Sequence, residues 1–222
     1  MTTTPPKPRR MICSPRYGAA SAVKPLSLPG WENVTLFNYG EGPKPILKPG
    51  TDFTTHGPRL HDYEYGRPRE VRREWATLLR ATKPGDIALG VNTFVNDDRW
   101  DDAVGMTANI LKGTGVSLTT ELYAGWQELP WKWQSRWAFR LRALSDVEKS
   151  TGTPSTVCLS AIAGRDYANP NVWDEGSMNL MLYSIGSHDW PILLFAPAST
   201  PEAAAKVDEA TRVLAGMVGG AA

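Results

Sequence analysis

The chain has 222 residues, 41% of them hydrophobic and 21% charged, with a formal net charge of +1. Its length suits one large domain or one domain with an appendage, and its charge balance lacks the basic excess typical of nucleic-acid binders. No run approaches the ~18 apolar residues of a membrane span.

The opening residues, MTTTPPKPRR, contain no apolar stretch of the kind a secretory signal needs, so a soluble protein made in the cytoplasm is expected. Five basic residues, including Arg9 and Arg10, precede the first acid, Glu32. Only this arm offers nucleic acid a conceivable partner surface. The first 66 residues hold ten of the 18 prolines and seven of the 20 glycines. Proline fixes φ and removes a donor, which excludes long helices. Residues 1–66 therefore read as an extended Pro/Gly-rich arm, with short strands at Arg10–Ile12, Thr35–Tyr39 and Pro45–Leu47. Within the arm, HGPRLHDYEYG carries His56 and His61 beside Asp62 and Glu64. It lacks helical HxxxH spacing and contains Pro58, so these residues read as a solvated loop, with no metal expected.

From residue 67 to 222 the pattern becomes alternating. A helix is expected over Arg67–Thr82, a strand over Asp86–Phe94, and a helix from Asn96 or Asp97 to Lys112 with Trp100, Val104, Thr107 and Leu111 inward. Val116–Ala124 reads as a strand, Pro130–Lys149 as a helix, and Ser155–Ala163 as a third strand. Strands 30–40 residues apart with helices between them are βαβ units, which imply a parallel sheet. Met178–Ile185 and Pro191–Ala198 are joined by too short a link for a crossover, and are expected to form an antiparallel hairpin. Thr200-Pro201-Glu202 opens a terminal helix to about Val218. The expected fold is α/β: a mixed, mainly parallel sheet with flanking helices, a C-terminal antiparallel hairpin plus helix, and the N-terminal arm. A complete eight-stranded barrel needs about 250 residues and more strands than are evident.

Four of the nine tryptophans fall in GWQELPWKWQSRW, residues 125–137. At 100° per residue, Trp133, Trp137, Leu141, Leu144 and Val147 form one stripe of the helix and read as core. Arg140 falls inside the same arc, whereas Phe139 points away from it. Trp126 and Trp131 flank the preceding loop and lie outside the stripe's account.

Catalytic motifs are scarce. Ser187, His188 and Asp189 are adjacent in sequence, so they cannot form a relay on one imidazole. Ser160 lacks the GxSxG elbow, and no Walker loop or GxGxxG follows an expected strand. No cofactor is expected. Cys13 and Cys158 lack CxxC spacing and read as free thiols. Carboxylates offer more: Glu121 near the end of its strand, Asp97 and Asp98 after the first strand, and Asp166 after the third. Ligands of open α/β sheets bind outside the carboxyl ends of the strands, where paired carboxylates serve as acid and base on a glycosidic bond.

Two readings follow. The first is a non-enzymatic subunit of a large assembly, such as a virion head or tail component, touching other protein subunits through its arm (Arg9, Arg10) and through Trp126, Trp131, Phe139 and Arg140. The alternative is a carbohydrate-active or other hydrolase using Glu121 with Asp97, Asp98 or Asp166, and Trp126 as a sugar platform.

Overall fold

The computed structural model describes residues 8–39, 56–62, 79–89, 97–122, 130–186 and 189–220. Its strands are β1 (Arg10–Cys13), β2 (Glu32–Asn33), β3 (Thr35–Asn38), β4 (Arg59–Asp62), β5 (Ile87–Leu89), β6 (Ser117–Glu121), β7 (Ser155–Leu159), β8 (Ile162–Ala163), β9 (Asn171–Val172) and β10 (Ile192–Phe195). The helices are α1 (Asp97–Leu111), α2 (Pro130–Thr151), α3 (Glu175–Ile185) and α4 (Pro201–Gly220), with short 3-10 turns at Gly18–Ala22 and Leu79–Ala81.

Eight strands form one sheet in the order β2-β1-β10-β7-β6-β5-β4-β3. Every pairing in it is parallel. In an open sheet the outer strands would lie seven spacings, ~34 Å, apart. Yet β2 and β3 are separated by Val34 alone, and Asn33 and Thr35 are two Cα steps, at most ~7.6 Å, apart. The backbone N–H of Val34 donates to Ile12 on one side (2.8 Å) and that of Thr35 to Pro58 on the other (3.2 Å). The sheet therefore closes, with β2 and β3 acting as one continuous strand. The result is a parallel β/α barrel with seven strand positions.

Interior packing agrees with closure. One buried cluster joins Met11 and Cys13 of β1, Val34, Leu60 of β4, Ile87 and Leu89 of β5, Cys158 of β7, and Leu193 and Phe195 of β10. Residues from strands far apart in the order can touch only if the sheet curls round them. On the remaining position, β6, the fully buried Thr119 is in register with Leu89. The barrel is thus filled by side chains, as small closed barrels are.

The opposite faces of these strands pack on helices. Val157, Leu159 and Leu194 meet Trp133, Trp137 and Leu141 of α2 and Met178, Met181 and Ile185 of α3. Ala88 and Leu118 meet Val104, Ala108 and Leu111 of α1 and Leu144 of α2. The tryptophan stripe is core as expected: Trp133 and Trp137 are buried with ring centroids 4.8 Å apart. Thr200 Oγ1 accepts from the Ala203 N–H at 3.1 Å and caps α4, which begins at the anticipated proline.

The α/β class, the mainly parallel sheet and the terminal helix are as expected, and several assignments change within them. Met178–Ile185, expected as a hairpin strand, is helical. Asp174 caps α3 by accepting from the Ser177 N–H at 2.7 Å, and Gly186 ends it with φ 64°. Met178, Met181 and Ile185 fall on one buried face at helical spacing. Residues 192–195 are then a parallel strand, between β1 and β7. The antiparallel pair lies earlier, where Ile162 and Ala163 of β8 meet Val172 and Asn171 of β9. Ser155–Ala163 divides into β7 and β8. The Pro/Gly-rich first 66 residues supply four strands of the barrel itself, including β4, which replaces the loop read around His61. The strand expected at Pro45–Leu47, most of the helix over Arg67–Thr82 and His188 lie outside the described residues.

Candidate active site at the carboxyl end of the barrel

In a parallel barrel every strand ends on the same face, so chemistry collects where the carboxyl ends meet. Here those ends are Cys13, Asn38, Asp62, Leu89, Glu121, Leu159 and Phe195. Asp62 is in register with Leu89, which packs inside the barrel, and Asn38 is in register with Asp62. Asn38 Nδ2 donates to Asp62 Oδ2 at 3.0 Å. A partly exposed carboxylate is thus oriented by an amide at the inner rim.

Burial, aided by the Asp62 charge, pushes the Cys13 thiol far above its ordinary range. Cys13 faces the same interior as Leu89, the register partner of Asp62, and lies two strand positions from β4. A thiol so raised stays protonated and is no nucleophile. Cys13 and Cys158 are both buried and unbridged. Ser160 is also occupied, donating to the Phe195 carbonyl at 2.9 Å.

His61 is removed from the rim as well. It points to the outer side of β4, where Nδ1 is hydrogen-bonded with the Tyr39 hydroxyl at 2.8 Å and Nε2 with Asp86 Oδ2 at 2.9 Å. Asp86 also accepts from the Arg59 backbone N–H and Nε and the Lys83 backbone N–H, each at 3.0 Å, and pairs with Arg59 Nη2 at 2.8 Å. Arg59 lies over the Phe37 ring, 5.2 Å from its centroid. Burial opposes ionisation of Asp86, but the hydrogen bonds from His61, Arg59 and Lys83 outweigh it and hold the carboxyl below its usual range. Burial, opposed by the Arg59 charge and helped by Asp86, pushes Tyr39 up to about 12. Enclosed on the helix side, this network braces β3, β4 and β5.

The residues singled out from sequence fall in different places. Glu121 ends β6, in register with Cys158, and so belongs to the carboxyl end. Asp97 and Asp98 are the first residues of α1, where negative charge is favoured in any helix. Asp166 is exposed and holds its own loop, its Oδ1 accepting from the Ala168 and Asn169 N–H groups at 3.1 and 2.9 Å. Of the proposed contact residues, Trp126 lies outside the described residues and Trp131 is the second residue of α2. Phe139 is 41% exposed. Arg140, expected at a subunit contact, is instead 1% exposed. It stands seven and three residues after Trp133 and Trp137, so the helix turns it inward with them. Arg9 pairs with Glu32 at 2.6 Å and Arg10 opens β1, both at the barrel's amino end.

Asp62 was read as part of a loop because Pro58 masked a four-residue strand, for which the run Leu60-His61-Asp62 was the available signal; Asn38, inside the expected strand Thr35–Tyr39, gains its role only from its pairing with Asp62. Among the described residues no three of His, Cys, Asp and Glu converge as metal ligands. No helix among them is long and apolar enough to cross a membrane. No protein-family model matches the chain, and no curated protein matches it.

Proposed function

We propose that this chain is a carbohydrate-active hydrolase that works with carboxylates at the carboxyl end of its barrel, Asp62 and Glu121 foremost. The observation carrying this reading is the Asn38–Asp62 pair at the inner rim, with Glu121 ending a strand two positions away. Glycosidic cleavage needs one carboxyl to protonate the leaving oxygen and another to act as nucleophile or base. In this reading Asp62, oriented by Asn38, takes the second role and Glu121 the first. Among the described residues, the buried, protonated Cys13 thiol and the enclosed His61 leave few competing groups at the rim.

The test is release of reducing ends from a panel of soluble and insoluble polysaccharides. Glu121→Gln is expected to slow release ~10²–10⁴-fold, the usual contribution of a general acid. Wild-type activity against none of the panel would remove the hydrolase reading, and unchanged activity in the variant would remove Glu121.

A role as an assembly subunit draws on a different surface. Tyr183 and Leu180 of α3 are 84% and 38% exposed, an apolar pair of the kind found at protein interfaces. Light scattering on the pure protein is expected to show an oligomer on this reading; a single-chain mass at high concentration contradicts it.

A further inference from the structure

Two tyrosines stack at the same end of the barrel, and their placement follows from the strands beneath them. Beyond β1 the chain continues extended, and Arg16 is bridged in register to Ala198. The Arg16 side chain runs outward to α4, contacting Asp208 through two hydrogen bonds of 2.6 and 2.8 Å. Tyr17 is extended (φ −116°, ψ 160°), so alternation sends its ring to the side opposite the Arg16 side chain. There it stacks on Tyr167, with centroids 5.8 Å apart and planes 19° from parallel. Both backbones are tied to the segment after β10, Tyr17 N–H to the Ala198 carbonyl at 2.9 Å and Ser199 N–H to the Tyr167 carbonyl at 2.8 Å. Each ring is half-buried and so keeps part of its surface in solvent.

We propose that the Tyr17–Tyr167 stack is a sugar-binding platform remote from the cleavage point, and that the substrate is therefore an oligosaccharide or polysaccharide spanning several units. This rests on the hydrolase reading above. The stack occupies the β1–β7 sector of the rim, whereas Asp62 and Glu121 end β4 and β6. A ring of seven strands ~4.8 Å apart is about 13 Å across, wider than one pyranose. A ligand held at both places must be longer than a disaccharide. The π face of an aromatic ring attracts the weakly positive C–H groups that a pyranose presents on its flat side.

The test uses full-length Asp62→Asn protein, so that ligands survive, and β-1,4-linked hexasaccharides and disaccharides of glucose, N-acetylglucosamine and xylose. Adding Tyr17→Ala is expected to weaken binding of the preferred hexasaccharide ~10-fold, the worth of one aromatic contact, while disaccharide binding stays unchanged and Tyr17→Phe restores the hexasaccharide. Tyr167→Ala carries the same expectation should Tyr17→Ala fail to fold. Hexasaccharide binding equal to the parent's in a folded variant overturns the platform, as does equal loss for both lengths. If the wild type cleaves glycans without any advantage of length, the platform falls and the hydrolase stands. If it neither binds nor cleaves any sugar, both fall.

Discussion

Asp86→Asn should destabilise the fold by about 3–5 kcal/mol, as expected when one partner of a buried ion pair is removed. Five donor contacts converge on this carboxylate, from Arg59 (three), His61 and Lys83. An amide offers one acceptor oxygen and presents N–H groups to the remaining donors, while the buried Arg59 cation loses its counter-charge. Against a typical total of about 5–15 kcal/mol, that loss is large. Chemical denaturation should show it as a lower midpoint with little change in slope. Pairing Asp86→Asn with Arg59→Met should recover part of the loss, because no buried charge is then stranded. The pH dependence follows from the lowered Asp86 pKa. A carboxyl whose folded pKa lies below the unfolded value near ~3.9 contributes stability above that pH, and loses it as pH falls through the folded value. The variant lacks that acid limb, so its stability should fall less steeply below pH ~4. An Asp86→Asn midpoint equal to wild type would contradict the bracing role.

Asp62→Asn should behave in the opposite way, with catalysis lost and the fold kept. Under the proposed hydrolase chemistry the rate on a responsive glycan should fall ~10²–10⁴-fold. The melting temperature should move little, since the side chain is partly exposed and its size is preserved. Asn38→Ala tests how the carboxylate is held. Asn38 acts through Asp62 as a positioning residue, so its loss should lower kcat more mildly and shift the pH profile of the rate, a readout that a purely structural residue would leave in place. Full turnover by a folded Asp62→Asn protein would exclude Asp62 from the reaction.

Local patterns were readable from the chain and non-local ones were not. The stripe Trp133, Trp137, Leu141, Leu144 was legible because helical periodicity is a property of one segment. The same geometry placed Arg140 on the buried arc, and only its charge suggested a surface role. The α3 segment, rich in Met and Leu, read as a strand because a short apolar run fits either structure; its Asp174 cap and Gly186 stop were the deciding signals. A strand of four residues such as β4 disappears inside a proline-rich composition when Leu60 is its one apolar residue. Closure was the least legible feature. It depends on β2–β3 bonding to β1 on one side and β4 on the other, which no window of sequence contains. The rim inherited that difficulty: Glu121 was found from its own strand, whereas Asp62 acquires its place only once the ring is formed.

Joining β1 to β10 sets Arg10 beside Ile192 and Cys13 beside Phe195, residues from opposite ends of the chain. During synthesis the first strand therefore waits for almost the whole molecule before its last neighbour emerges. Until then the nascent sheet has two unsatisfied borders, each a template for pairing with another molecule. Contacts of such long sequence separation also make folding slow. Once β10 docks, both borders vanish in a single step, so the final strand acts as a latch that converts an aggregation-prone ribbon into a closed ring.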